Sequence, residues 1–535
     1  MPEFLCARLV DRSNCAIKSG ERLKTAAIVL LLVVAASVAD ARVVEIRSGS
    51  IEGTTHDGVD RYLGVPYAAP PVGERRWRAP VPAERWVGVR PAKRPAPACA
   101  QIGNFYASAD ESTFEQVYGS EDCLYLNVWA PEADGQRRPV LLFFHGGSGI
   151  FGNAAHPLYD GERLARELDA VVVTANYRLG VLGSLQSPAL QTGDPAEDAG
   201  SFYLLDMIRV LDWLHENCSA FACDENRLTI SGQSAGAVSV LALLRSPLAA
   251  GKFHGAISFS GLPFSSSSNQ AQERTGGFVA ELLIDNGDAQ SRRAARKKWA
   301  AMSAEARRQY LYHQSAEVLL EASGYGLVPL PLADGHVLMS KDKADGIGAE
   351  VVSHVPLMIG KVRNEMSTLI RIKGKGRSPE KLWPLFNGEP REETVNQALG
   401  LWNGPIRNIS IALAESAVRK KLRSVEQEYS ERLPAVYAYR FVWENYPNPW
   451  KVDFGAFHSL DIPFIFGNFI NDREMYMRFA WTPENRRERE ALHKVMATRL
   501  KAFVHTGDPN RADSNLPYWQ ARGSGDYTEC WGCGE

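Results

Sequence analysis

Short runs of apolar residues alternate along the chain with segments in which apolar residues recur at helical spacing. Residues 139–144 and 170–175 are apolar throughout, which predicts buried strands, and residues 161–168 between them have the helical pattern. Residues 203–217 predict a longer helix. Because strands that are apolar throughout are covered on both faces, the alternation predicts an α/β fold with a large, twisted, mostly parallel central sheet between helices.

The same pattern continues towards the C-terminus. It predicts a helix at residues 238–244 and strands at residues 227–230, 355–360 and 435–442. The basic helical residues 292–298 and residues 264–268 (FSSSS) are interpreted as surface segments between core elements. Single α/β folds often exceed the usual length of about 150 residues per domain, so we expect one domain over residues 42–535.

The N-terminal segment has the features of a secretory signal peptide. Residues 1–24 carry several Arg and Lys, residues 26–36 are apolar, and residues 39–41 read Ala-Asp-Ala. A buried core helix is the alternative, and the run is shorter than the ~20 residues that cross a bilayer. We therefore expect residues 1–41 to be a signal and the mature protein to be secreted or periplasmic, without stable membrane insertion.

Composition and charge narrow the class of protein. The 535 residues include 60 Lys and Arg against 62 Asp and Glu, which gives a net charge of −2, and 45% are hydrophobic. This is an ordinary globular composition, which excludes disordered and collagen-like chains. A net charge near zero supplies no general basic field, so nucleic acid is not an expected partner. The composition does not decide between a monomer and a homodimer.

The cysteines fit an exported protein. Two of the eight, Cys6 and Cys15, lie within the predicted signal, which leaves an even number in the mature chain. An even number in an oxidising compartment favours disulfides over a metal site, for which no neighbouring pair of histidines is present. The residues leave the pairing of the later four cysteines open, namely Cys218, Cys223, Cys530 and Cys533.

One motif carries candidate chemistry, because residues 232–236 read Gly-Gln-Ser-Ala-Gly. The motif follows the predicted strand at 227–230 and precedes the predicted helix at 238–244. A serine on such a turn has an exposed hydroxyl at a helix N-terminus, which suits a nucleophile. A glycine- and serine-rich turn without chemistry is the alternative interpretation.

A serine nucleophile needs a base and an acid. In the α/β-hydrolase order both follow the serine, with the acid before the histidine. His254 follows too soon, whereas His458 lies in a loop after the predicted strand at 435–442. Glu365 lies just beyond the strand at 355–360, but Asp334 and Asp342 remain rivals on spacing alone.

Several further motifs carry a family resemblance. They are residues 62–71 (YLGVPYAAPP), 120–129 (SEDCLYLNVW), 144–149 (FHGGSG), 176–183 (NYRLGVLG), 231–236 (SGQSAG), 253–261 (FHGAISFSG), 455–458 (GAFH) and 507–510 (GDPN). In these segments the chain resembles the type-B carboxylesterases, which include cholinesterases, bacterial para-nitrobenzyl esterases and fungal lipases. Residues 157–161 (PLYDG) resemble the bacterial members. The resemblance implies an α/β-hydrolase fold with inserted loops and helices that form a gorge.

The resemblance also implies the roles of particular residues. The implied catalytic residues are Ser234 as nucleophile, Glu365 as acid and His458 as base, and the implied oxyanion-hole amides are those of Gly147, Ser148 and Ala235. It further implies a disulfide between Cys99 and Cys123. The implied activity is hydrolysis of a small-molecule carboxylic ester through an acyl-enzyme, with no metal and no organic cofactor.

Two residues depart from the family pattern. Many relatives have Glu before the nucleophile where this chain has Gln233, so one negative charge is missing beside the site. Ser148 replaces a common glycine, and its side chain is expected to narrow the site. Lipase-like action on long acyl chains and cleavage of polycarboxylate esters of mycotoxins such as fumonisin are alternative functions. A non-catalytic binding protein is a third alternative.

Overall fold

A computed structural model describes residues 42–108, 110–324, 328–339, 348, 350–372, 383, 405–448, 450–470, 477–510, 515–523 and 527–533. The predicted signal peptide at residues 1–41 lies outside these residues. The described strands are β1 Val43–Ile46, β2 Gly49–Glu52, β3 Thr54–His56, β4 Val59–Pro66, β5 Val89–Pro91, β6 Gln101–Ile102, β7 Val117–Tyr118, β8 Tyr125–Pro131, β9 Arg138–Phe144, β10 Val171–Ala175, β11 Cys223–Gln233, β12 Gly255–Phe259, β13 Leu357–Val362, β14 Val436–Phe441 and β15 Glu529–Trp531.

The described helices lie between and after these strands. They are α1 Glu162–Leu168, α2 Gly180–Gly183, α3 Pro195–Asp198, α4 Phe202–Asn217, α5 Ala235–Leu243, α6 Ser268–Asp285, α7 Arg292–Ala301, α8 Ala304–Tyr312, α9 Ala316–Ser323, α10 Glu365–Ile372, α11 Pro405–Ser430, α12 Trp450–Phe454, α13 Ile462–Phe466 and α14 Arg486–Thr506.

Ten of the described strands form one sheet in the order β15-β14-β13-β12-β11-β9-β10-β8-β4-β3. The pairs from β15 to β10 are parallel, and the pairs from β10 to β3 are antiparallel. A parallel sheet brings the carboxyl ends of its strands to one edge, where α/β proteins build their sites. This confirms the predicted mostly parallel sheet and places the ends of β11 and β13 on the same edge.

The sheet is buried on both faces. Leu142 and Phe144 of β9 belong to one hydrophobic cluster, whereas Leu141 and Phe143 of the same strand belong to a second cluster. Alternate residues of a strand point to opposite faces, so each cluster fills the space between one face and its covering helices. Double burial explains why the central strands are apolar at every position rather than at every second one.

Most predicted elements are confirmed to within one or two residues. β9, β10, α1 and α4 match the predicted strands and helices, and the basic segment forms the exposed helix α7. β13 begins at Leu357 rather than at residue 355, because Pro356 has no N–H to donate to the ladder. The surface expectation for residues 264–268 is wrong in part, since Ser265 and Ser266 are buried.

Candidate active site

Ser234 lies on the turn between β11 and α5. Its φ of 54° and ψ of −118° are strained for a non-glycine residue. The turn is tight, because a Cβ atom on Gly232 would lie 2.5 Å from the carbonyl carbon of Gly236. The Ser234 N–H donates to the Phe259 carbonyl of β12 at 2.9 Å, which anchors the turn to the sheet. The two motif glycines therefore permit the close approach that leaves the hydroxyl exposed.

Glu365 and His458 come from two segments that are joined by main-chain contacts. Glu365 is the first residue of α10, just beyond β13, and His458 follows α12. Between the segments, the Asn364 N–H donates to the Ala456 carbonyl at 2.8 Å, and the Asn364 side chain accepts from the Ala456 N–H at 3.1 Å. The Ser367 hydroxyl adds a bond to the Phe454 carbonyl at 2.7 Å. These bonds fix the carboxylate relative to the imidazole.

The three side chains form a continuous hydrogen-bonded chain. The Ser234 Oγ lies 2.8 Å from the His458 Nε2. The His458 Nδ1 is hydrogen-bonded to the Glu365 Oε2, and the other carboxylate oxygen accepts from the Val362 N–H at 3.0 Å. With the Nδ1 proton directed at a carboxylate, the Nε2 lone pair faces the serine hydroxyl, which is the orientation a general base requires.

Electrostatic interactions favour the charged form of Glu365 in this hydrogen-bonded series of side chains. Burial opposes ionisation of Glu365, but the attraction and hydrogen bond of His458, followed by the charge of Lys361, hold the pKa of Glu365 below its usual value. Burial alone would lower the pKa of His458, but the Glu365 carboxylate beside it raises that pKa above its usual value. The pair is therefore arranged to stabilise an imidazolium that forms during a reaction.

Ser148 and Ala235 line the same cavity as Ser234, and Gly147 directly precedes Ser148. Gly147, with φ of 106°, and Ser148, with φ of 56°, form a left-handed turn after β9, and Ala235 is the first residue of α5. A Cβ atom at position 147 would lie 2.0 Å from the Phe151 carbonyl oxygen, so only glycine fits. Within the described residues, none of these three N–H groups is bonded to a protein acceptor. They are thus available to bind an oxyanion.

Gln233 contacts the imidazole directly. Its Nε2 lies 3.2 Å from the His458 Nε2 and 2.9 Å from the Ser459 hydroxyl oxygen. The side chain is 2% exposed, so the residue that departs from the family pattern is a neutral group packed against His458. The sequence motif identified this position but could not indicate its contact with the histidine.

The sequence predictions missed a second carboxyl group beside the histidine. Asp461 is completely buried at the start of α13. Burial and the repulsion of the Glu365 carboxylate raise the pKa of Asp461 to about 7, although the charge of His458 opposes this shift. An aspartate three residues after a candidate base, within an otherwise apolar segment, was the available indication.

We expect Asp461→Asn to stabilise the protein increasingly as the pH rises from about 4 to about 7. The unfolded chain releases this proton near pH 4, whereas the folded chain holds it until about pH 7, so folding free energy is lost across this interval. Asparagine removes that loss. The measurement is the Tm difference between variant and wild type at several pH values, and a difference independent of pH contradicts the prediction. Asp206→Asn, which removes the buried partner of Arg178, is the control and should lower Tm.

Two of the rival residues, Asp334 and His254, make contacts of their own. Asp334 accepts hydrogen bonds from the amides of His336, Val337 and Leu338, each at 3.0 Å, so it organises its own turn. Asp342 lies outside the described residues. His254 contacts the Leu228 N–H at the middle of β11, six residues before Ser234.

A cavity of about 430 Å³ opens beside Ser234, Glu365 and His458. Its apolar lining consists of Val238, Leu262, Phe264, Val328, Pro329, Leu330, Pro331, Met366, Leu369, Val418 and Leu422. Lys361 is the cation that lines it among the described residues. Its Nζ donates to the carbonyls of Val362 and Arg363 at 2.8 and 3.3 Å and lies 3.4 Å from Glu415. The cavity is therefore mainly apolar, and the ammonium group of its lysine is already engaged with three acceptors.

Disulfides join Cys99 to Cys123, Cys218 to Cys223, and Cys530 to Cys533. The first is the pair that the family resemblance implied, and the other two pairings were open. In the described part of the chain, no three His, Cys, Asp or Glu residues cluster in a way that could hold a metal ion. No helix there has both the length and the apolar character needed to cross a membrane.

A mostly parallel sheet with a serine on the turn between a central strand and its following helix defines an α/β-hydrolase. The sequence matches the carboxylesterase family over residues 40–398 and 406–530. It is 31% identical to the para-nitrobenzyl esterase of Bacillus subtilis over 490 residues, which cover 89% of this chain and 92% of that protein. It is also 43% identical to the fumonisin B1 esterase of Sphingopyxis macrogoltabida over 226 residues, which cover 42% of this chain and 41% of that protein.

A solved structure agrees with these sequence matches. The carboxylesterase of Geobacillus stearothermophilus superposes with a TM-score of 0.68 at 32% identity, covering 90% of this chain and 93% of that one. The chain belongs to the carboxylesterase family and is a carboxylic ester hydrolase.

Proposed function

We propose that the protein hydrolyses carboxylic esters with Ser234 as nucleophile, His458 as general base and Glu365 as the acid that orients the base. The observation that carries this proposal is the unbroken chain of contacts from the Ser234 Oγ, 2.8 Å from the His458 Nε2, to the Glu365 carboxylate. No metal or organic cofactor takes part in the proposed reaction.

In the first half of the reaction, the Ser234 Oγ attacks the ester carbonyl carbon while the His458 Nε2 takes the hydroxyl proton. Negative charge develops on the carbonyl oxygen, and we assign its stabilisation to the N–H groups of Gly147, Ser148 and Ala235. Removing one such donor typically costs about 10²–10³ in kcat. The imidazolium then gives its proton to the leaving alkoxide, the ester C–O bond breaks, and an acyl-serine remains.

In the second half, a water molecule replaces the alcohol. The His458 Nε2 removes a proton from the water as its oxygen attacks the acyl carbon, and the same amides bind the second oxyanion. Collapse breaks the bond to the Ser234 Oγ, which recovers its proton from the imidazolium, and the carboxylic acid leaves. Throughout, Glu365 remains ionised and offsets the positive charge on the imidazole.

We propose an uncharged ester of modest size as the substrate. The apolar lining of the cavity favours hydrocarbon groups, and its Lys361 is engaged with three acceptors. A volume of about 430 Å³ suits a short or medium acyl chain better than a long lipid. The 43% identity to the fumonisin B1 esterase keeps a polycarboxylate ester as the alternative. Comparing 4-nitrophenyl esters of increasing chain length and charge distinguishes these substrates.

We also propose that residues 1–41 direct export and that residues 42–535 act as one secreted or periplasmic domain. Three disulfides support an oxidising compartment, because such bonds are rare where thiols are kept reduced. N-terminal sequencing of the mature protein tests the cleavage site.

The reactive serine can be identified by labelling. We expect diethyl 4-nitrophenyl phosphate to release one equivalent of 4-nitrophenolate and leave one diethylphosphoryl group on the Ser234 Oγ, with loss of esterase activity in proportion. Intact mass gives the stoichiometry and peptide mapping gives the position. Protein unfolded in denaturant is the control and should not react. Complete inactivation with the label on another residue would refute the assignment.

A further inference from the structure

A second cavity lies next to the catalytic one. It has a volume of about 480 Å³, and we call it the arginine cavity after Arg363, Arg419 and Arg440, which line it together with Lys451. Lys361 and Glu415 also line it, and Lys361 lines the catalytic cavity as well. The ion pair of these two residues therefore lies in the wall between the two cavities.

Positive charge in the arginine cavity exceeds what the nearby carboxylates neutralise. Lys361 on β13 lies directly opposite Arg440 on β14, and two like charges at paired positions of neighbouring strands repel. Glu415 lies 3.4 Å from the Lys361 Nζ, and it also accepts a hydrogen bond from the Met366 N–H. One carboxylate, already bonded to a main-chain amide, thus serves a pair of cations.

Two more carboxylates, Glu444 and Asp453, line the cavity, so among the residues that the structure describes five cations face three carboxylates in total. Arg363 is paired with Glu444. Within the described part of the chain, the side chains of Arg419, Arg440 and Lys451 make no hydrogen bond or ion pair. Burial, followed by repulsion from Arg363 and Arg419, lowers the pKa of the Arg440 guanidinium, although Glu415 opposes the shift. A half-buried guanidinium without a partner is costly, and a bound anion would remove that cost.

We propose that the arginine cavity binds a multiply charged anion, a polycarboxylate or a phosphate, through Arg419, Arg440 and Lys451. Guanidinium groups suit such oxyanions because their planar donors bind two oxygens at once. The volume suffices for a molecule the size of citrate. The anion is either a free ligand or, if the substrate is the polycarboxylate ester that the proposed function keeps as its alternative, a charged arm of that ester. The two sources share this chemistry.

The test measures citrate binding to the full-length protein by titration calorimetry at constant ionic strength, with acetate as the singly charged comparator. We expect citrate, but not acetate, to bind. The double variant R419Q/R440Q should weaken citrate binding about 10-fold or more. The control R293Q/R296Q removes the same charge from the exposed helix α7 and should leave the citrate Kd within about twofold. If the double variant does not fold, citrate binding is measured on the single variant R419Q instead, because Arg419 lies at an exposed position of a helix.

The KM values for two ester substrates distinguish the two possible sources of the anion. If R419Q/R440Q raises the KM for the mono-4-nitrophenyl ester of glutaric acid but not for 4-nitrophenyl butyrate, the anion is a substrate arm. If both KM values are unchanged while citrate binding is lost, it is a free ligand. The proposal fails if citrate binds no better than acetate, or if the two double variants weaken citrate binding equally. It also fails if citrate inhibits hydrolysis of 4-nitrophenyl butyrate competitively and R419Q/R440Q leaves that inhibition unchanged.

Discussion

Ser234→Ala is expected to lower kcat for a 4-nitrophenyl ester by about 10⁴–10⁶-fold, because the nucleophile of the proposed mechanism is lost. The hydroxyl contacts the His458 Nε2 and does not support the core, so the fold should remain intact. Alanine retains the main-chain N–H groups of the turn, so oxyanion binding and a small residual rate should persist. Steady-state kinetics and circular dichroism of the purified variant measure both effects.

Ser231→Ala is the matched control for this variant. Ser231 lies on β11, the strand that ends just before Ser234, and it is completely buried. Its hydroxyl donates to the Leu142 carbonyl at 2.9 Å and not to the imidazole. Its loss should cost about 1 kcal/mol of stability and leave kcat nearly unchanged. Near-normal turnover by a folded Ser234→Ala protein would overturn the assigned nucleophile, and with it the proposed mechanism.

Glu365→Gln is expected to lower kcat by about 10³–10⁴-fold at neutral pH. A glutamine in this position can present its NH₂ group to the His458 Nδ1, which places the ring proton on Nε2 and leaves no lone pair for the Ser234 hydroxyl. The substitution also removes the charge that raises the pKa of His458. Because activity requires the neutral imidazole, the acidic limb of the kcat profile should move to lower pH in the variant.

Glu426→Gln is the comparison, because Glu426 is also a buried carboxylate but is paired with Arg522 and does not contact the imidazole. The Glu426→Gln variant should have a lower free energy of unfolding, and the pH profile of its kcat should be unchanged. A Glu365→Gln variant with a lowered kcat and an unmoved acidic limb would indicate a structural role for Glu365 rather than an electrostatic one.

The topology explains why residues far apart in sequence can act together. β11 and β13 are both parallel neighbours of β12, so their carboxyl ends open on one edge of the sheet. Ser234 follows the first of these strands and Glu365 follows the second. The contacts of Asn364 with Ala456 then bring His458 over the same edge. The fold thus positions a carboxylate and a hydroxyl on either side of one imidazole.

Some boundaries depended on pairing and not on local pattern. The predicted strand at residues 227–230 is confirmed, but β11 runs from Cys223 to Gln233 because it pairs with β9 and β12 along much of that length. Apolar residues mark only the middle of β11, whereas burial and ladder pairing continue through Ser231, Gly232 and Gln233. Ser266, expected at the surface, is buried because its N–H pairs with the Pro331 carbonyl.

The sequence by itself determined the class of fold and the turn that carries Ser234. Both depend on short-range physics, namely the period of apolar positions and the need for glycine where the backbone approaches itself closely. Spacing left three carboxylates open and the family resemblance implied Glu365, but only the tertiary structure shows that Glu365 meets His458, because that contact joins segments 93 residues apart. It alone placed Gln233 against that histidine, brought the Asp461 carboxyl within electrostatic reach of it, and gathered Arg419 and Arg440 around one cavity. Local patterns leave the contacts between distant loops unspecified, since packing of the whole sheet sets them.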